Sequence, residues 1–538
     1  MAEVPLQSHL DFIKQREEKF KLLLHQGAFS PFLLQHAFGI LLLPVIPLVI
    51  RSTSTFQSKL IRYGFHAIIT CFSLYTILYV RFIGPGNGYG LGLMTIWLYI
   101  WSLTTLIFND VQRDFRRIEK EYVDLKMVPL HGSPRVVGLS EFHYTADHSP
   151  RSHKANNMSR CKIYRWQSFP DSLPHRVEWV LDLIFNLRGP NWNWCIRSLL
   201  PFPADVIKDI GEHGSSPHKK TSKPIIEESS AKLRHTAFSF LRTYVALDFL
   251  KVVMMRDPYF WGFVDNPLPA PWPFSILAFS SALIRIYRLL ISMMGAFFAL
   301  KYIVSLGSLF FLGLSLAFPR FSRTITHQPL DEAWLYPPAF GPAISALDYG
   351  LIGAWNIWWH QLFRFGFSES ARFFSNLILP NPPKKRLPSY YSIARRLIQV
   401  MVAFSMSGLV HAMGSYTAFA DTKPFNAFLF FVLQGIGVLV QGLLAYCLSP
   451  LIRQIRPSRL LIRITNLNIL IVWFYYTAPL LADDFSRCGL WMLEPIPISP
   501  VRGALGWGIE EEGWFCWRGS WFEWWSGETW WQSGIRFT

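Results

Sequence analysis

Apolar residues run in long blocks along this chain, at 29–50, 64–83, 89–108, 236–255, 286–318, 397–420, 425–449 and 460–482. Each block is long enough to cross a bilayer, because a helix rises about 1.5 Å per residue and the hydrocarbon core is about 30 Å thick. The pattern predicts an all-α multispanning membrane helix bundle of about eight spans, with about seven to ten as the range. The run 286–318 sets that range, since it has the length to tilt, to break or to hide a re-entrant piece.

The polar stretches between these blocks suggest a division into a polar N-terminal segment 1–28, a first transmembrane group 29–108, a cytosolic insertion 109–235, a second transmembrane group 236–320, a core 321–485 and a Trp-rich cap 486–538. The N-terminal segment carries Glu3, Asp11, Lys14, Arg16, Glu17, Glu18 and Lys19 without a continuous apolar core, so it does not read as a cleaved signal peptide. Within the insertion, GEHGSSPHKKTSKPIIEESS reads as a flexible tether. Val177, Val180, Leu181, Ile184 and Leu187 recur there at helical spacing and lead into Arg188-Gly189-Pro190-Asn191-Trp192-Asn193-Trp194. That pattern predicts an interfacial helix with its Trp residues in the headgroup layer, the alternative being a buried helix of a small soluble subdomain. The stretch Trp334 to Pro388 is too polar to span lipid as one helix yet strongly aromatic, so it is expected to lie along the interface or dip into the protein. The Trp-rich end, from Trp507 to Trp531, suits a membrane-surface cap. No internal repeat is visible.

Composition agrees with lipid as the solvent: 51% of residues are hydrophobic and 16% charged, against about 25% charged in a soluble domain. The formal charge of +17 does not imply nucleic acid, since no recognition module carries it. The basic residues crowd into Arg113 to Arg234, Arg51 to Arg62, Lys384 to Arg396 and Arg453 to Arg463, which eight spans place on one face, cytosolic by the positive-inside rule. Cys71, Cys161, Cys195, Cys447, Cys488 and Cys516 are scattered without Cys-x-x-Cys spacing, so neither a zinc site nor a disulfide framework is indicated, and no metal is expected.

Two polar positions stand out against this apolar background. His411 lies in MVAFSMSGLVHAMGSYTAFA, where an ionisable side chain is costly and therefore a functional candidate, although a lone membrane His also serves as an interhelical hydrogen-bonding group. Ser407 precedes it by one helical turn, and Gly408, Ala412, Gly414 and Ser415 would let another helix or a ligand come close to the backbone. In WNIWWHQLFR, Asn356, His360 and Arg364 are spaced by four and would share one face of a helix, beside Trp355 and Trp359. An interfacial helix with an aromatic belt is the plainer account of that stripe.

These motifs resemble the wax-synthase-like branch of the membrane-bound O-acyltransferases, in particular its fungal secondary-metabolite acetyltransferases. The resemblance covers roughly 330–500 and rests on PPAFG from Pro337, WNIWWHQLFR from Trp355, SGLVHAMGSY from Ser407 and EPIPISPVRGALGWG from Glu494. It implies that His411 is the buried catalytic histidine and that Asn356 with His360 is the second polar position. Arg188-Gly189 with Trp192 and Trp194 is similar to a weaker upstream motif. Ala354, where an aromatic residue is usual, and Ile357-Trp358, where a more basic pair is common, bear on acyl-chain preference. The implied reaction moves an acetyl group, or another acyl group, from acyl-CoA to a hydroxyl of a lipophilic alcohol, in the endoplasmic reticulum membrane; wax-ester or sterol-ester synthesis is the alternative.

The chemistry fits such residues. A hydroxyl attacking a thioester benefits from a base, and a water-poor helix keeps the His411 imidazole in the neutral form a base requires. Asn356 or His360 could donate to the thioester oxygen as it gains charge. Ser407 as a nucleophile lacks a carboxylate to orient the histidine. Arg364, Lys384, Lys385, Arg386, Arg395 and Arg396 could hold the anionic head of coenzyme A, although topology alone also explains them. Three rival readings are weaker. His143-Tyr144-Thr145-Ala146-Asp147 is a short string that chance supplies. Asn109-Asp110 with Asp114, and Asp483-Asp484, could serve a magnesium-dependent prenyltransferase, but solvated helix ends explain them. Arg242, Asp248 and Lys251 could line a transport pathway, but Asp248 and Lys251 are spaced to neutralise each other.

Overall fold

The computed structural model describes residues 8–51, 55–84, 86–124, 160–211, 225–265, 269–380, 389–509, 512–517 and 521–537. The architecture is an all-α bundle. Its main helices are α1 (His9–His25), α2 (Leu34–Val49), α3 (Thr55–Tyr79), α4 (Asn87–Ser102), α5 (Leu173–Phe185), α6 (Ala204–Gly211), α7 (Ile225–Arg256) and α8 (Ser281–Ala317). They continue with α9 (Ile344–Gly353), α10 (Arg364–Ile378), α11 (Ser389–Thr417), α12 (Pro424–Ile455), α13 (Arg459–Thr477) and α14 (Pro479–Cys488).

All eight apolar blocks fall on helices. Among the described residues six helices are both long and apolar enough to cross a membrane: Phe56–Tyr79, Asn87–Phe108, Ser281–Ala317, Tyr390–Thr417, Pro424–Ile455 and Arg459–Thr477. The chain is therefore a multipass membrane protein. Leu34–Val49 is apolar but shorter, with Pro44 and Pro47 inside it. Helix α7 has the length, at 32 residues, but carries Arg242, Asp248 and Lys251. Helix α8 runs unbroken for 37 residues, so the long apolar run neither breaks nor folds back.

Small residues set how closely the helices meet. A Cβ on Gly92 of α4 would stand 2.1 Å from the Met413 carbonyl of α11, and one on Gly88 would stand 2.8 Å from the Thr417 carbonyl. This Gly-x-x-x-Gly pair lets the two backbones touch, the standard route to tight association where lipid offers no hydrophobic drive between helices. On the other side of α11, Gly408 lies against Phe428 of α12, and Gly435 of α12 against Phe404. Helix α11 is thus clasped between α4 and α12.

Hydrogen bonds fix which ends share a face. Arg62 of α3 pairs with Asp110 at 3.4 Å, Gln112 donates to the Leu48 and Ile50 carbonyls at 2.9 Å, and Arg176 of α5 donates to Val49 at 2.9 Å. The C-terminal ends of α2 and α4, the N-terminal half of α3, the residues just after Asn109 and the start of α5 therefore lie together. On the opposite face, β1 (Ser30–Pro31) pairs with β2 (Val80–Arg81), and the Gly86 amide donates to the Cys488 carbonyl.

The described parts of the 109–235 region are more structured than their polarity suggested. Strands β3 (Arg117–Asp124) and β4 (Arg160–Gln167) form an antiparallel ladder. Its inward side buries Ile118 and Tyr164 together with Lys120, which bonds to Asp331 and Glu332. Charges on the buried side hid the strand alternation. Trp192 and Trp194 are not in a headgroup layer. Both are buried, Trp192 Nε1 donates to Asp182 at 3.0 Å, and Trp194 packs on Phe365 at 4.5 Å. Helix α5 buries Trp179, Val180, Leu183 and Ile184 in the same aromatic core and leaves Phe185 exposed. Of the expected tether, 212–224 lies outside the described residues.

Asp248 and Lys251 do not neutralise each other. Asp248 accepts from Ser499 Oγ and from the Val501 amide at 2.8 Å. Lys251 donates to the Trp491 and Met492 carbonyls at 3.0 and 2.7 Å and lies 3.6 Å from Glu494. Both anchor the segment that begins at Glu494, whose Arg502 pairs with Glu494 and Glu512. Beyond it, β5 (Phe522–Trp525) and β6 (Gly534–Phe537) form a hairpin with Trp524, Trp530 and Trp531 exposed.

Candidate active site

His411 lies on α11 about six residues, or about 9 Å, before the Thr417 end. Its ring is enclosed by three other helices. The Tyr89 hydroxyl of α4 sits 2.5 Å from His411 Nδ1. Phe431 of α12 stacks on the imidazole at 4.6 Å and 13°, and Phe485 of α14 lies 6.0 Å away. The residue as a whole is half-buried.

One turn further on, Ser415 donates to Asp484 at 3.0 Å, and the Lys423 amide donates to the same carboxylate at 2.7 Å. Asp484 is 1% exposed. It is therefore not a solvated helix end, as its sequence suggested, but a buried acceptor that ties α14 to the His411 helix. Its neighbour Asp483 accepts from Tyr259 at 2.7 Å. Asn109, Asp110 and Asp114 serve local contacts around the end of α4. Among the described residues no group of three or more His, Cys, Asp or Glu could hold a metal ion.

The second polar position is built differently from the expected helical stripe. Helix α9 bends at Gly350, whose φ of 61° suits glycine, and then widens into a π-helical turn, Ala354–Trp358. The Trp359 amide reaches back to Ala354 at 2.8 Å, and the Gly341 amide of the PPAFG loop donates to Trp358 at 2.9 Å. Trp359 is extended, so the helix ends before His360, and α10 begins anew at Arg364. Asn356, His360 and Arg364 therefore do not share one helix face. Irregular turns of this kind recur at functional sites.

His360 keeps part of its surface accessible, while its buried Nδ1 has no hydrogen-bond partner. Burial, with a smaller contribution from the Arg188 charge, pushes this imidazole down to about 4. It is neutral at physiological pH and can donate one N–H. The segment reaches His411 through aromatic rings, since Trp355 lies 6.1 Å from Phe431. Asn356 is exposed.

The expected coenzyme-binding cations have varied surroundings. Arg364 donates to the Asn356 carbonyl and to Gln361 at 2.9 and 2.8 Å. Arg395 donates to Asn376 and to the Leu379 carbonyl, joining α11 to α10. Arg396 is exposed, and Lys384, Lys385 and Arg386 lie outside the described residues, as does His143 to Asp147. Ser407 makes no hydrogen bond to His411. Two clefts, of about 260 Å³ beside Lys120 and Asp331 and about 390 Å³ beside Arg113 and Asn193, open on the insertion side and not at His411.

Tyr89 is the site residue that the sequence did not disclose. Its signal was a lone tyrosine set among glycines, Gly88-Tyr89-Gly90-Leu91-Gly92, in an otherwise apolar helix.

Residues 336–433 contain the π-helical turn, His360 and His411, and they match the Membrane bound O-acyl transferase family. Over this segment the chain is similar to the membrane-bound O-acyltransferases. Glu494 to Gly508, which shares the resemblance in sequence, lies beyond the matched residues. Among curated proteins, the chain is similar to acetyltransferase spyB of Aspergillus fumigatus, 28% identical over 21% of this chain and 17% of that protein. It is 22% identical to O-Mevalon transferase macI of Penicillium terrestre over 63% of this chain and 66% of that protein. Acetyltransferase eriL of Hericium erinaceus is 28% identical over 36% and 47%. The chain thus matches less than two thirds of the length of each of these relatives. No solved structure matches it.

Proposed function

We propose that this chain is an acyl-CoA-dependent O-acyltransferase that moves an acetyl group onto a hydroxyl of a lipophilic secondary metabolite such as a terpenoid, with His411 as the base. The observation that carries this reading is the ionisable ring of His411, held by Tyr89 at 2.5 Å inside an apolar helix of the O-acyltransferase segment. Donation of Nδ1–H to Tyr89 Oη leaves the Nε2 lone pair free to take a proton. As that proton leaves the alcohol, its oxygen attacks the thioester carbonyl. Collapse of the adduct breaks the C–S bond, and the departing coenzyme A thiolate takes the proton back from the imidazolium. No acyl-enzyme is required. A donor at the second polar position, the N–H of His360 or the amide of Asn356, suits the oxyanion.

The acetyl group is favoured by the names of the spyB and eriL proteins. Basic residues gathered on the insertion side support a cytosolic orientation for it, with acyl-CoA entering there and the alcohol arriving through the bilayer in the endoplasmic reticulum. The test is transfer of radiolabelled acetyl-CoA to a pool of terpenoid and related alcohols by microsomes expressing the chain. Labelled ester supports the reading. Absence of product with acetyl-CoA but turnover with long-chain acyl-CoA would move it to wax-ester or sterol-ester synthesis.

A further inference from the structure

Asp484 carries more charge than its role as an anchor uses. Ser415 Oγ and the Lys423 amide both donate to Oδ1, at 3.0 and 2.7 Å, and an amide oxygen in that place would accept from them as well. Among the described residues Oδ2 receives only the Cys488 thiol, at 3.8 Å, a weak donor. A buried carboxylate without a counter-ion is costly. Yet Lys423 and Arg487 both pair with Asp265, at 3.8 and 2.5 Å, and among the described residues Asp484 itself stands in no ion pair. Burial pushes its carboxyl above the ordinary range, while the hydrogen bonds from the Lys423 amide and Ser415 favour the ionised form.

That charge lies close to His411 and Tyr89. Ser415 follows His411 by one turn on the same face of α11, which puts the carboxylate roughly 10 Å from the imidazole. Phe485, the residue after Asp484, packs edge-on against Tyr89 at 5.3 Å and stands 6.0 Å from His411. A Cβ on Gly414 would stand 2.9 Å from the Tyr89 carbonyl and 3.0 Å from its ring, and Thr417 Oγ donates to the Gly88 carbonyl at 2.7 Å. Helices α4, α11 and α14 therefore hold the carboxylate, the Tyr89 hydroxyl and the imidazole in one packed unit. Tyr89 and Asp484 are 3% and 1% exposed, so little water screens the charge.

A base that takes a proton becomes a cation, and an imidazolium inside an apolar helix needs a negative charge nearby. We propose that Asp484 is a positioning residue of the active site, whose buried carboxylate supplies the counter-charge to the imidazolium that His411 forms on taking the proton of the alcohol. This role rests on the reading of His411 as the base for acyl transfer. The proton moves from the alcohol to Nε2 and from there to the departing thiolate, and Asp484 stays ionised throughout without touching substrate. Ser415 and the Lys423 amide fix where the charge stands, and Phe485 carries that placement to the two rings. Asp484 lies outside the matched residues 336–433.

The test uses the full chain purified in micelles and measures kcat, KM and Tm, with labelled acetyl-CoA and an alcohol that the wild type acetylates. Asp484→Asn keeps an oxygen for both donors and removes the charge. It is expected to lower kcat about tenfold or more, as one unit charge roughly 10 Å away in a partly screened interior would. KM for acetyl-CoA should stay within about twofold, and Tm should stay close to that of the wild type. Ser415→Ala removes one anchoring bond and keeps the charge, so it should lower Tm and cost less kcat than Asp484→Asn. Wild-type kcat in Asp484→Asn overturns the proposal while leaving the enzymatic reading intact. An equal loss of kcat in the two variants, or an Asp484→Asn chain that no longer folds, makes Asp484 an anchor alone and also overturns it. A wild type that transfers no acyl group to any alcohol removes the enzymatic reading, and this proposal with it.

Discussion

Tyr89 and His411 are 322 positions apart in the chain and 2.5 Å apart in space. Tyr89→Phe keeps the ring that packs on Phe485 and removes only the oxygen that orients the imidazole. It is expected to lower kcat by about tenfold to a hundredfold with KM unchanged, and to add little to the loss in a His411 variant. His360→Ala is expected to cost about a hundredfold in kcat, the size of one lost oxyanion donor, and Asn356→Ala is expected to lower kcat as well. Steady-state kinetics on purified variants check all three. His411 stood out in sequence because an ionisable group inside an apolar helix needs a reason to be there. Tyr89 was not, because a tyrosine in a membrane helix is ordinary until its distant partner is known. Asp484 was misread for the same reason, since only the fold brings Ser415 and the Lys423 amide to it.

Among the elements, α11 depends on glycine at its contact with α4. Gly92→Val is expected to push the helices apart and to abolish activity, because its Cβ alone would meet the Met413 carbonyl at 2.1 Å. Gly64→Ala, where nothing lies within 4 Å, is expected to be neutral or slightly stabilising. Thermal unfolding in micelles distinguishes the two. The small residues around His411 announced such close approaches. The π-helical turn did not announce itself, since Asn356, His360 and Arg364 at spacings of four read as one helix. The chain leaves that helix because Gly350 bends it and the PPAFG loop captures the Trp358 carbonyl, and both causes lie outside the motif. The β3–β4 ladder was hidden by Lys120, whose charge is neutralised by Asp331 and Glu332 from far along the chain.

Over the whole molecule, the apolar blocks were readable because bilayer thickness dictates their length. The docking of the C-terminal segment was not, because it runs through buried polar groups. Asp248 and Lys251 of α7 grip the segment from Trp491 to Val501 and so join this long helix to the Trp-rich cap. Asp248→Ala leaves the Ser499 hydroxyl and the Val501 amide without their acceptor and is expected to cost about 3 kcal/mol, seen as a lowered Tm of the purified protein. The account as a whole turns on the His411 imidazole as the base for acyl transfer. Its most direct test is labelled acetyl transfer by microsomes carrying His411→Ala beside the wild type, with the amount of folded protein matched. The account predicts product from the wild type and none from the variant, and equal product from both would contradict it.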